Sequence, residues 1–160
     1  MNWNFARGQS KRTRMRRMRS DRFSRQLMQE NQLSANDFIY PMFVIEGSNE
    51  RQSITPMPGI ERLSIDLLCA EAKHLHSIGI QAIALFPVVD AHRKSLKAEE
   101  AWNKDGLIQR AIKAIKDSVP EIGIMTDVAL DPFTTHGQDG ILDESNYCLL
   151  YTSDAADEGL

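Results

Sequence analysis

Ala82-Ile83-Ala84-Leu85-Phe86, closed by Pro87, is an apolar run with no polar interruption. A strand with one wet face alternates. An unbroken run reads as a strand buried on both faces, as in the parallel sheets of α/β proteins. The flanking segments agree. Upstream, Ser64 is placed to cap a helix with Asp66 in its first turn, Leu68, Ala72 and Leu75 share one face, and Gly79 stops it. Before that lies a second apolar run, Phe38-Ile39-Tyr40-Pro41-Met42-Phe43-Val44-Ile45, with Pro41 expected near its start or at an irregularity. Residues 46–62 read as a loop, broken by Gly47, Pro56, Pro58 and Gly59. Downstream, Asp105 is expected to cap a helix whose stripe is Leu107, Ile108, Ala111, Ile112 and Ile115, with Pro120 ending it. The third run is Ile122-Gly123-Ile124-Met125-Thr126-Asp127.

The order is strand, helix, strand, helix, strand, with strand starts near 39, 82 and 122. Both a (β/α)8 barrel with long loops and a doubly wound sheet show that rhythm. No glycine-rich phosphate fingerprint follows the first run, which tips the balance slightly toward the barrel. A whole barrel takes ~250 residues. Only three strands fit before residue 128, so the fold class is α/β, a partial TIM barrel of about three strands.

The 160 residues are 42% hydrophobic and 26% charged, ordinary for one soluble globular domain. No apolar run approaches the ~18 residues that span a bilayer. The basic N-terminus leads into no apolar segment of the signal-peptide kind. The only cysteines, Cys69 and Cys148, lie too far apart for a disulfide framework or a cysteine metal cluster. A cytoplasmic protein is expected.

Charge is unevenly spread. Residues 1–28 hold nine basic residues and one acid, Asp21, whereas the whole chain carries −3. A basic arm therefore precedes an acidic body. Within it, Ser20 is expected to cap a short helix that aligns Phe23, Leu27 and Met28. Such an arm can bind nucleic acid through phosphates, or dock on an acidic neighbour such as another copy of the chain. Aromatics able to stack on bases are few (Trp3, Phe5, Phe23), so nucleic acid is the weaker reading.

The segment richest in chemistry runs from Asp127 to Gly140, at the C-terminal end of the third run, where barrels place their active sites. Asp127, Asp131 and Asp139 can hold a metal, a cationic substrate or a proton in transfer. Turn chemistry alone also accounts for them, with Asp131-Pro132 a turn initiator. His136 with Asp139 could form a metal pair, but two ligands do not make a site, and His136 reads as a hydrogen-bonding loop residue. His74 and His76 fall on different faces of their helix and read as surface residues. His92 sits beside Arg93, Lys94 and Lys97 in what reads as a solvated basic loop.

Residues 12–147 closely resemble the N-terminal half of the porphobilinogen synthase (delta-aminolevulinic acid dehydratase) family. The resemblance is carried by Arg16-Arg17-Met18-Arg19, Asp37 to Val44, Met57-Pro58-Gly59-Ile60, Leu63-Ser64-Ile65-Asp66, Ala84-Leu85-Phe86-Pro87-Val88, Asp105 to Ile112, Thr126 to Pro132 and Thr135 to Asp143, in order. It implies a TIM barrel with an extended N-terminal arm, at residues 1–35, followed by the first part of the barrel at 36–147. It implies a lyase of tetrapyrrole (heme) biosynthesis that condenses two molecules of 5-aminolevulinate to porphobilinogen with loss of two waters. It implies a homo-octamer in which each arm wraps a neighbouring barrel. Zinc-binding members carry three cysteines where this chain has Ala129, Asp131 and Asp139, so no zinc cysteine site is expected. The match is instead to the aspartate-rich, magnesium-responsive class, whose magnesium is allosteric and lies between subunits. By the same resemblance Asp127, Asp131 and Asp139 are substrate-binding residues that orient the amine of one substrate, and none is assigned as a metal ligand.

Two lysines of later strands form Schiff bases with the substrate ketones in that family. None of Lys73, Lys94, Lys97, Lys104, Lys113 and Lys116 matches them, so no catalytic residue is expected in this chain, which reads as an inactive fragment. Residues 148–160 do not continue the family pattern and read as a non-native tail. The rival reading is a non-catalytic interaction protein that uses its basic arm on a protein partner or nucleic acid.

Overall fold

The computed structural model describes residues 16–142, 145 and 148–150. The expected arm thus lies outside the described residues before Arg16, as does the expected tail after Leu150. The chain divides into two compact units at Leu33/Ser34.

The first unit holds two short helices, α1 (Arg17–Ser20) and α2 (Arg22–Leu27), where one helix capped by Ser20 was expected. Ser20 ends α1 instead: its hydroxyl donates to the Arg17 carbonyl at 2.8 Å. Asp21, in extended backbone at φ −114° and ψ 155°, breaks the run and begins α2. Phe23, Leu27 and Met28 are exposed.

In the second unit, the apolar runs form β1 (Ile39–Ile45), β4 (Ala82–Pro87) and β5 (Gly123–Thr126). Two shorter strands were not expected: β2 (Arg51–Ser53) lies within the segment read as loop, and β3 (Glu61–Ser64) starts in it and runs on to Ser64. The sheet order is β2-β3-β1-β4-β5. β1 pairs parallel with β4 from Ile39↔Ala82 to Val44↔Pro87, and β4 with β5 from Ala82↔Gly123 to Leu85↔Thr126. β3 joins β1 in parallel over Phe43–Ile45 only, and β2 runs antiparallel to β3. Among the described residues Pro41 therefore sits where β1 has a neighbour on one side alone, the place a residue without an N–H is tolerated. A separate two-stranded pairing joins β6 (Ile141–Leu142) and β7 (Cys148–Leu150).

Helices α3 (Ile65–Ser77) and α4 (Leu107–Ser118) follow β3 and β4 and cover one sheet face. Leu68, Ala72 and Leu75 of α3 and Leu107, Ile108, Ala111 and Ile115 of α4 are buried against Met42, Val44, Ile83 and Leu85. Gly79 ends α3 at φ +98°, and a Cβ there would meet Ala35 Cβ at 3.0 Å. Gly106, not Asp105, is the N-cap of α4. A Cβ on Gly106 would stand 2.9 Å from the Asn103 carbonyl oxygen, so the tight approach selects glycine and moves the helix start by one residue.

The expectation that both sheet faces are buried holds for the helix side. On the opposite face Ile39 and Met125 are 50% and 53% exposed. Phe43 and Phe86 are half-buried there, their ring centroids 5.7 Å apart. That apolar face is the side a closed barrel turns inward.

Candidate active site wall

The aspartate segment begins where β5 ends. Among the described residues, the C-terminal ends of β4 and β5 and the first turns of α4 enclose an apolar cleft of about 290 Å³, lined by Phe86, Ile108, Ile112, Asp127, Leu130 and Phe133 among others. Asp127 also lines a smaller cleft with Ala84, Phe86 and Met125. It is exposed, as is Asp131 at the turn that follows. That turn forms as expected of Asp131-Pro132: the Phe133 and Thr134 amides both donate to the Leu130 carbonyl, at 2.9 and 3.1 Å.

Asp139 is engaged with backbone. Its Oδ1 accepts the Leu130 N–H at 2.6 Å. His136 shapes the same loop, its Nδ1 accepting the Gln138 N–H at 3.3 Å while its Nε2 is buried without a partner. The three aspartates thus share one loop without converging. Among the described residues no group of three His, Cys, Asp or Glu side chains is placed to hold a metal ion.

The partner of this loop escaped the sequence reading. The long β4–α4 connection, residues 88–106, lies against it: Ser95 bridges Thr134 in parallel, with Ser95 N–H donating to the Phe133 carbonyl and Thr135 N–H to the Ser95 carbonyl, both at 3.1 Å. Phe133 packs with Val89 and Ala98 in a small core of its own, flanked by Ala101 and Leu130. Charge anchors the connection to the frame. Glu46, just after β1, pairs with Arg110 of α4 and, at 4.0 Å, with Arg93, which also binds Glu100 at 3.0 Å. The Asn103 amide, and then the Arg93 guanidinium, hold the Glu100 carboxyl below its usual range against the opposing effect of burial. His92 is exposed in this connection, as a solvated loop residue should be. No strand or helix periodicity marks such a loop-to-loop pairing, so nothing in the local pattern could have found it.

No lysine lines the cleft. Lys116 is turned to the end of its own helix, its Nζ donating to the carbonyls of Pro120 and Ile122. Among the described residues the site therefore sets the Asp127 carboxylate beside an apolar wall.

Comparison with known proteins matches residues 12–156 to the family described as delta-aminolevulinic acid dehydratase. The chain belongs to the delta-aminolevulinic acid dehydratase family. It is 45% identical over 129 residues to the Bradyrhizobium diazoefficiens delta-aminolevulinic acid dehydratase, a match covering 81% of this chain and 36% of that protein. It is 41% identical over 142 residues to the chloroplastic protein of Chlamydomonas reinhardtii, covering 86% of this chain and 35% of the relative. Among solved structures, delta-aminolevulinic acid dehydratase (porphobilinogen synthase) of Toxoplasma gondii, crystallised with the reaction product porphobilinogen, superposes with a TM-score of 0.78 at 44% identity. The superposition covers 86% of this chain and 39% of that one. The five-stranded sheet is thus the family's barrel in part, and the chain spans under two-fifths of the length of these relatives. No helix of the described residues is long and apolar enough to cross a membrane.

Proposed function

We propose that this chain supplies the amine-orienting wall of a porphobilinogen synthase active site and lacks the groups that do the covalent chemistry. The observation that carries this reading is the carboxylate-bearing loop at the C-terminal end of β5, beside a cleft that no lysine lines. The substrate, 5-aminolevulinate, presents an ammonium group at neutral pH. In this reading the carboxylate of Asp127, which lines the cleft, and those of Asp131 and Asp139 on the loop that follows attract and orient that cation. A Schiff base with the substrate ketone requires an unprotonated amine, and the lysines of this chain do not match the family's positions for it.

The aspartates at 131 and 139, with Ala129, favour the aspartate-rich, magnesium-responsive class over the zinc class, because hard carboxylates do not replace a thiolate cluster for Zn²⁺. The described residues do not assemble a metal site, so no step is routed through magnesium, which in this reading is an allosteric ion between subunits of the whole protein. Cytoplasmic location and a homo-octamer joined through the arm belong to the same proposal. The exposed Phe23, Leu27 and Met28 beside Arg19, Arg22 and Arg25 favour protein over nucleic acid as the arm's partner.

The test is direct. The purified chain, incubated with 5-aminolevulinate, is expected to form no porphobilinogen above a no-protein control in a colorimetric assay. Turnover would show that some amine of this chain serves as nucleophile and overturn the reading.

A further inference from the structure

Glu100 carries a charge that no step of the proposed function uses. It lies on the β4–α4 connection, its side chain is 10% exposed, and it is not among the residues that line the cleft. A carboxylate taken that far out of water is costly unless it is paired and hydrogen-bonded. Both of its oxygens are served: Oε1 takes the Arg93 guanidinium at 3.0 Å, and Oε2 accepts the Asn103 side-chain amide at 3.0 Å. The Arg93 pair closes the stretch 93–100 into a ring. Ser95 and Ala98 are the members of that stretch that reach the aspartate loop. Ser95 exchanges backbone hydrogen bonds with Phe133 and Thr135, and Ala98, fully buried, packs on Phe133. Asn103 carries the tie onward, its carbonyl accepting the Gly106 N–H at 2.9 Å where α4 begins. Asp131 stands just before Phe133 on the loop so held.

We propose that Glu100 is a positioning residue: through Arg93 its carboxylate holds the β4–α4 connection in the shape on which the Asp131-bearing loop rests, and so sets where that loop meets substrate. This rests on the reading above that an ammonium-bearing substrate meets the loop. Two features separate the pair from an ordinary surface ion pair, which contributes little. The carboxylate is nearly buried, so removing Arg93 leaves a poorly solvated charge, and removing Glu100 frees the stretch 93–100. Phe133, Val89 and Ala98 also form a small core apart from the main one, so the two loops can loosen together while the sheet stays folded.

The experiment uses the 160-residue chain itself. Amide exchange is read at Ser95 and Thr135, which bridge the two loops, and at Ile83 and Leu85 of β4 as a reference. Glu100→Ala and Arg93→Met are each expected to speed exchange at Ser95 and Thr135 by about tenfold or more, with the β4 amides within about threefold of the parent. The double variant is expected to exchange within about threefold of the faster single, because one shared interaction is lost only once. Titration with 5-aminolevulinate, read as the shift of the Asp131 amide resonance, is expected to give Glu100→Ala an apparent Kd about threefold to tenfold above the parent's. The proposal is overturned if both single variants leave Ser95 and Thr135 protected, or if their effects multiply in the double. Faster exchange with an unchanged Kd also overturns it, since the pair is then structural only. A parent chain whose Asp131 resonance does not move with 5-aminolevulinate overturns the reading of this loop as a substrate wall, whereas the exchange data decide separately whether the pair holds the loops.

Discussion

At the scale of single residues, Asp66 shows how one carboxylate can organise a connection. Its Oδ1 accepts the Ser64 hydroxyl at 2.6 Å and its Oδ2 accepts the Asn49 N–H at 2.9 Å, while Ser64 in turn accepts the Glu50 N–H at 3.0 Å. The turn after β1, with Asn49 at φ +56°, is thereby tied to the start of α3. The Ser64 hydrogen bond, joined by the Asn49 amide and opposed by burial, holds the Asp66 carboxyl below its ordinary value. A carboxyl with a depressed folded pKa contributes stability that is present above the unfolded value of about 3.9 and is lost as pH falls through the lower folded value. Asp66→Ala is therefore expected to lower the urea midpoint at pH 7, and the gap from the parent chain is expected to narrow by pH 2.5. A gap of the same size at both pH values would show that the ionised carboxylate contributes nothing. Ser64 and Asp66 were legible in the sequence as a helix start. What they bind was not, because Asn49 and Glu50 reach them only through the fold.

At the scale of elements, the three apolar runs and two apolar stripes read correctly because each is a local pattern: burial of one helix face or one strand shows in residue spacing. β3 was hidden because Glu61-Arg62-Leu63-Ser64 has neither an apolar run nor clean alternation, and only its pairing with β1 and β2 makes it a strand. The 88–106 connection was hidden for the same reason. Asp127, Asp131 and Asp139 could be singled out by their position after a strand, but Ser95 and Ala98, on which their loop leans, carry no local mark. Ala98 is the sharpest case. It is fully buried, and its backbone lies at φ +55° and ψ 35°, a conformation that glycine enters freely and branched residues resist. Ala98→Gly relieves the backbone while removing one methyl from the small core, and its stability is expected to stay within about 1 kcal/mol of the parent. Ala98→Val adds both a branched Cβ and volume where neither fits, with an expected loss of about 1–3 kcal/mol. Equilibrium urea unfolding of the two variants checks this. Equal losses would mean that the left-handed backbone at 98 is not what restricts the position.

At the scale of the whole molecule, the second unit is well covered on one side of its sheet and open on the other. Among the described residues β5 has a neighbour only on its β4 side, so its outer edge presents unpaired backbone groups. Met125 on that strand and Val128 just after it are 53% and 73% exposed, and Ile39 lies uncovered on the same sheet. An exposed apolar strand edge recruits another strand, and nothing in Gly123-Ile124-Met125-Thr126 opposes this with a charge or a proline. For the 160 residues purified by themselves, the expected consequence is self-association that grows with protein concentration, together with binding of a hydrophobic dye. Met125→Lys places a charge on the open edge without touching the helix-covered core, so it is expected to shift sedimentation toward the 18.1 kDa monomer and to lower dye binding. If the parent chain instead sediments as a monomer at all concentrations and melts in one sharp cooperative transition, the open edge is not sticky. The partial barrel would then stand alone as a folded unit.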